Sequence, residues 1–120
     1  MHQHIPDEVL VHMAGKFRML SDPTRLSILR ALMAGGERNV GQVVEETGGT
    51  QANVSKHLKQ LAGAGMLARR KEGLNVLYRL TDPVVEKICR LVCETILKEL
   101  EEQAEQSRKL LRRKKRGGKK

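Results

Sequence analysis

Aromatic residues are almost missing from this chain. They make up 2% of its 120 residues: Phe17, Tyr78 and no Trp. The core must therefore be built from Leu, Val, Ile and Met, and a chain this small and aliphatic often completes its core through a partner subunit. Apolar runs extend over only a few residues, which excludes a membrane-spanning helix. The start, Met1 to Asp7, has neither a cationic opening nor an apolar stretch, so no secretory signal is expected. Two cysteines only four positions apart, Cys89 and Cys93, do not make a disulfide framework, and a reducing cytoplasm is the expected compartment. Phosphate-binding loops, a plausible carboxylate pair and a Cys–His nucleophile pattern are also lacking, so the chain is not expected to be an enzyme.

Acidic residues are missing from one place in particular. Residues 108–120 contain nine Lys or Arg and no acid, and they account for the whole net charge of +9. The remaining residues balance at 14 basic and 14 acidic. Within that neutral body, residues 51–79 carry Lys56, Lys59, Arg69, Arg70, Lys71 and Arg79 against Glu72 alone. A basic segment in a neutral body is an electrostatic footprint for a polyanion.

The stretch Thr50–Leu61 is the most informative. Thr50 is a good helix N-cap, and Val54, Leu58 and Leu61 form one apolar stripe at helical spacing. Gln51, Asn53, Ser55, Lys56 and Lys59 lie around the other side. Side chains of these types reach phosphates and base edges in a DNA major groove. The competing reading is an ordinary solvated helix surface. His57 falls at the edge of the stripe and is expected to hydrogen-bond or to touch DNA backbone.

The neighbouring segments decide between these readings. Residues 7–20 form an apolar-faced helix that starts with Asp7 and Glu8. Asp22 caps and Pro23 opens a second helix to about residue 34, with Leu26, Ile28, Leu29, Leu32 and Met33 inward. Asn39 and Gln42 have capping-box spacing for a short third helix that Gly48-Gly49 ends. Helix, glycine turn and helix over 39–62 make a helix-turn-helix. Two short extended runs around Glu72-Gly73 then form a β-hairpin with a basic tip, a wing. Thr81-Asp82-Pro83 opens a last helix to about residue 106, striped by Val85, Ile88, Val92, Ile96 and Leu100. That stripe, with residues 7–20, is expected to pair with a second subunit. The expected organisation is a flexible arm over 1–6, a winged helix-turn-helix domain over 7–106, mainly α, and a disordered basic tail over 107–120. The tail reads either as a sequence-independent DNA-affinity arm or as a solubilising extension.

Taken together, these residues resemble the bacterial ArsR/SmtB-type winged-helix repressors. The resemblance is carried by Leu20-Ser21-Asp22-Pro23-Thr24-Arg25-Leu26-Ser27-Ile28-Leu29 and by Gln51 to Leu61 as Gln-x-x-x-Ser-x-His-Leu-x-x-Leu. Gly65-Met66-Leu67, Arg70-Lys71-Glu72-Gly73 and Val76-Leu77-Tyr78-Arg79-Leu80 extend it through the wing. It implies a homodimer that binds double-stranded DNA at a palindromic operator and releases it when an effector binds. The DNA-contacting residues would be Thr50, Gln51, Asn53, Ser55, Lys56, His57 and Lys59, with Arg69, Arg70, Lys71 and Asn75 from the wing. Arg25 would orient the domain through an ion pair or contact a phosphate. An architectural DNA-binding protein with no sensor is the alternative.

The family's two common metal sites are not in this sequence. Its Cys-Val-Cys position reads Asn39-Val40-Gly41, and the last helix has no histidine for the Asp-x-His and His-x-x-Glu ligands. Cys89 and Cys93 remain, one helical turn apart. They are either small core residues or a thiol pair that binds a soft metal or undergoes persulfide or disulfide chemistry. A mixed zinc or nickel site that adds His12, or the His2-Gln3-His4 arm, is a further expectation to test.

Overall fold

The computed structural model describes residues 4–117. Its elements in chain order are α1 (Asp7–Leu20), α2 (Pro23–Gly35), β1 (Arg38–Asn39), α3 (Val40–Thr47), α4 (Gln51–Gly63), β2 (Leu67–Glu72), β3 (Asn75–Leu80) and α5 (Pro83–Gly117). The starts of α2, α3 and α4 are set by side chains. Asp22 accepts from the Thr24 N–H, with Pro23 at the first helical position. Asn39 and Gln42 close a reciprocal capping box at α3, and Thr50 accepts from the Asn53 N–H at α4. Each such cap contributes about 1 kcal/mol.

Residues 4–83 pack around Ile28, Leu29, Leu32, Val43, Val54, Leu58, Leu61, Met66 and Tyr78, all buried. These come from α2, α3, α4, the connection from α4 to β2 and the sheet, so the helix-turn-helix is held by α2 and by the sheet. The apolar stripe expected on α4 is the stripe that is buried. On α2 the inward set is narrower than expected: Leu26 stays exposed because the buried face turns through Ile28, Leu29, Ala31 and Leu32.

The sheet has three strands in the order β1-β3-β2, antiparallel throughout. The hairpin was expected; β1 was not. Arg38 and Asn39 pair with Tyr78 and Leu77, a bridge too short to leave a periodic signature. At the hairpin tip, Gly73 takes φ 61 at the first central position, the backbone a type II′ turn requires.

α5 forms a separate unit. It is helical to Gly117, which corrects the expected end near 106 and the disordered reading of the basic tail; residues 118–120 lie outside the described residues. Composition misled there. Residues 101–116 are mostly Glu, Gln, Lys, Arg and Leu, all strong helix formers. Glu105 ion-pairs with Arg108 at 2.7 Å, and cations at a helix C-terminus suit its dipole. No described helix is long and apolar enough to cross a membrane.

Candidate nucleic-acid interface

α4 is presented by the turn that precedes it. Gly48 ends α3 in the left-handed conformation (φ 74), which a β-carbon disfavours. Gly49 then passes so close to the core that an added β-carbon would lie 2.9 Å from Val54 Cγ2. Two successive glycines thus let α4 turn sharply while Val54 stays buried. From this support Gln51, Asn53, Lys56 and Lys59 project as exposed side chains, Thr50 is exposed at the cap, and Ser55 is half-buried. Amide and cationic groups in this pattern can donate to phosphates and to acceptors on base edges.

His57 behaves differently from the other expected contact residues. It is buried, at 8% exposure, and faces α2. Arg25 Nε donates to His57 Nδ1 at 3.3 Å, and Arg25 Nη2 donates to Gln60 Oε1 at 2.9 Å. Because Nδ1 accepts, the ring proton sits on Nε2, which is 3.8 Å from Asp22 Oδ2. Asp22 is also the α2 cap and lies 3.9 Å from Arg25 Nε. The start of α2 and the middle of α4 are therefore held by one polar cluster. Arg25 is a brace in the free protein, and His57 takes the hydrogen-bonding role of its two expected ones.

The wing presents Arg69, Arg70, Lys71 and Asn75 as exposed residues. Arg69 pairs in register with the buried Tyr78, which anchors the strand base, and Lys71 and Asn75 flank the turn. Arg70 is already engaged. It donates to both carboxylate oxygens of Glu37, at 3.0 and 2.9 Å, and lies 2.7 Å from Glu72. These acids strengthen the guanidinium as a cation, and the hydrogen bond from Arg70 holds the Glu37 carboxyl below the usual carboxylate range. Glu37 was missed by sequence reasoning. It has no motif, and its partner is 33 positions away. Beside it, Arg38 pairs with Glu46 at 2.7 Å and ties β1 to α3.

A family model described as a helix-turn-helix domain matches residues 20–70. A helix-turn-helix-type transcriptional regulator of Methanocaldococcus jannaschii is 38% identical over 78 residues, spanning 65% of this chain and 88% of its own length. The chain belongs to the ArsR/SmtB family of winged helix-turn-helix transcriptional regulators. KmtR of Mycobacterium tuberculosis is another relative, 33% identical over 70% of this chain, a match that spans 64% of KmtR. Among solved structures, the antimony-specific transcriptional repressor AntR superposes with a TM-score of 0.78 at 27% identity, covering 83% of this chain and 90% of that one. Members of this ArsR/SmtB family are DNA-binding regulators, not enzymes.

The candidate sensor residues are less concentrated. Cys89 is half-buried and Cys93 exposed on α5, and both thiols are free. Burial pushes the Cys89 thiol above its ordinary range. His12 lines an open groove of about 380 Å³ with Gly15, Lys16, Met19, Ala64 and Met66. His4 is exposed, and His2 lies outside the described residues. Among the described residues no three or more His, Cys, Asp or Glu side chains are grouped to hold a metal within one chain.

Proposed function

We propose that this protein is a homodimeric repressor that reads a palindromic operator through α4 and the wing and releases it when an effector acts on Cys89 and Cys93. The observation that carries the DNA-reading part is the outer face of α4. Gln51, Asn53, Lys56 and Lys59 are exposed on a helix whose opposite face is fully buried through Val54, Leu58 and Leu61. Arg69, Lys71 and Asn75 add cations and an amide from the wing, suited to phosphates or a minor groove.

Dimerisation is supported by apolar surface that a single chain leaves in water. On α1, Val9, Leu10, Val11 and Phe17 are exposed. On α5 the same is true of Leu91, Val92, Ile96, Leu97 and Leu100. Burial of such faces against a second copy follows from about 25 cal/mol per Å² of apolar area. Two-fold pairing would place two copies of α4 against two half-sites, which is what a palindrome matches. A cytoplasmic location fits DNA as the partner.

The effector reading rests on Cys89 and Cys93 at i, i+4, one turn apart on one side of α5. AntR is described as antimony-specific, and antimony is a thiophilic metalloid. Two thiolates per chain suit a soft ion if a further ligand is shared across the dimer, and they equally suit persulfide chemistry. The test is DNA release by Cys89→Ser and Cys93→Ser variants after exposure to persulfide, oxidant, zinc or trivalent arsenic. Retained binding together with lost release supports the reading. Normal release by both variants overturns the sensor and leaves the cysteines as packing residues. Equal affinity for promoter and random DNA overturns the repressor.

A further inference from the structure

The basic end of α5 is ordered as a helix, and its charges are sorted. Arg108, Lys109, Arg112, Arg113, Lys114, Lys115 and Arg116 are all exposed, with no acid among them. At about 100° per residue, all of these except Lys114 fall within an arc of roughly 160°. Leu110, Leu111 and Lys114 occupy the other side, the leucines at 63% and 67% exposure. The only ion pairs this segment makes among the described residues run to Glu105, from Arg108 at 2.7 Å and from Arg112 at 3.9 Å. The helix dipole accounts for cations in the last turn, since its influence fades beyond one turn. It does not account for a cationic arc that begins at Arg108.

We propose that residues 108–117 of α5 are a second DNA-binding element that grips duplex phosphates without reading sequence. The chemistry selects this partner. Between 108 and 117 there is no Asn, Gln, Asp or Glu, and apart from Leu110, Leu111 and Gly117 every residue is a cation that matches phosphate oxygens. Guanidinium groups also pair with guanine edges, and the comparison of selected with random duplex separates the two. A membrane surface would need a broader apolar face with aromatic anchors, and this segment has two leucines and no aromatic residue. DNA is also the polyanion that this family binds.

The test compares the full chain with a variant in which Arg108, Lys109, Arg112, Arg113, Lys115 and Arg116 are each changed to Gln, which keeps helix propensity and removes charge. Binding is titrated across a salt series to a duplex selected in vitro for tight binding, to a random duplex, and to vesicles of phosphatidylserine and phosphatidylcholine. Loss of three to six phosphate contacts makes the plot of log affinity against log salt shallower by roughly 3–5 on both duplexes. Affinity falls by a similar factor on both, so the ratio between them is unchanged. A truncation after Ser107 removes nine cations rather than six and makes both slopes shallower by at least as much, and circular dichroism verifies that both variants keep the rest of the fold. Unchanged slopes overturn the proposal, as does a loss confined to the selected duplex. Vesicle binding lost without a change in DNA slope assigns the segment to a membrane instead, and a raised dimer dissociation constant with unchanged slopes assigns it to self-association. The random-duplex arm does not depend on an operator or an effector, so its failure is distinct from failure of the repressor reading.

Discussion

Replacing Arg25 with Met tests whether α4 is braced from α2. The methionine keeps most of the buried stem but removes the guanidinium, whose side chain is only 18% exposed. His57 Nδ1, buried with its ring, then loses its donor, and Gln60 loses a partner on the surface. An unsatisfied buried acceptor costs about 1–3 kcal/mol, and the exposed bond adds little. For a unit of this size about 2 kcal/mol corresponds to a fall in melting temperature of roughly 8–16 °C. Specific DNA affinity is expected to fall as α4 loses its fixed orientation, while the salt dependence stays the same. The double variant Arg25→Met with His57→Phe removes both polar partners and recovers part of the stability, which a thermal-unfolding cycle measures as a coupling energy. A different outcome refutes the brace: unchanged melting together with a salt slope shallower by about 0.9. That pair of results would make Arg25 a phosphate contact, the other role its position in the motif allowed.

Glu37→Gln releases Arg70 from its bidentate carboxylate, so affinity for any duplex should rise modestly and the salt slope steepen by up to about 0.9; weaker binding would show that the pair serves to pin the wing. Gly48→Ala forces a β-carbon into the left-handed conformation and should cost about 1 kcal/mol in chemical denaturation, with Gly48→Asn costing less; no difference from wild type would contradict the strained turn. Because burial raises the Cys89 thiol, its thiolate fraction at neutral pH is below that of a free thiol and grows only as pH rises through the elevated value. Alkylation of Cys89, followed by mass spectrometry, should therefore be slower at neutral pH than in the urea-unfolded chain and should accelerate at higher pH than for a free thiol. Equal rates in folded and unfolded chains would refute this.

Much of the exposed face of α4 and of the wing was legible because its signals are local. Thr50, Asn39 and Asp22 cap helices through residues two or three positions away, and Val54, Leu58 and Leu61 state their face by period. The hairpin declared itself by alternation and by Glu72-Gly73. Long-range pairings had no such signal. β1 is a strand of two residues, and Glu37 meets Arg70 only because β3 brings β1 and β2 onto one sheet. The tail went wrong for another reason. Charge density was read as disorder, whereas Glu105 and the run of strong helix formers favour continued helix.

The sequence by itself determined the order of helices and wing, the buried stripe of α4 and the polar residues opposite it, because caps, glycines and hydrophobic period act over a few neighbouring positions. Tertiary structure decided which of those polar residues are free. It turned His57 inward onto Arg25, committed Arg70 to Glu37 and Glu72, and left Gln51, Asn53, Lys56 and Lys59 exposed. A side chain's partner across 32 positions depends on how the helices pack, and no local rule along the chain records that.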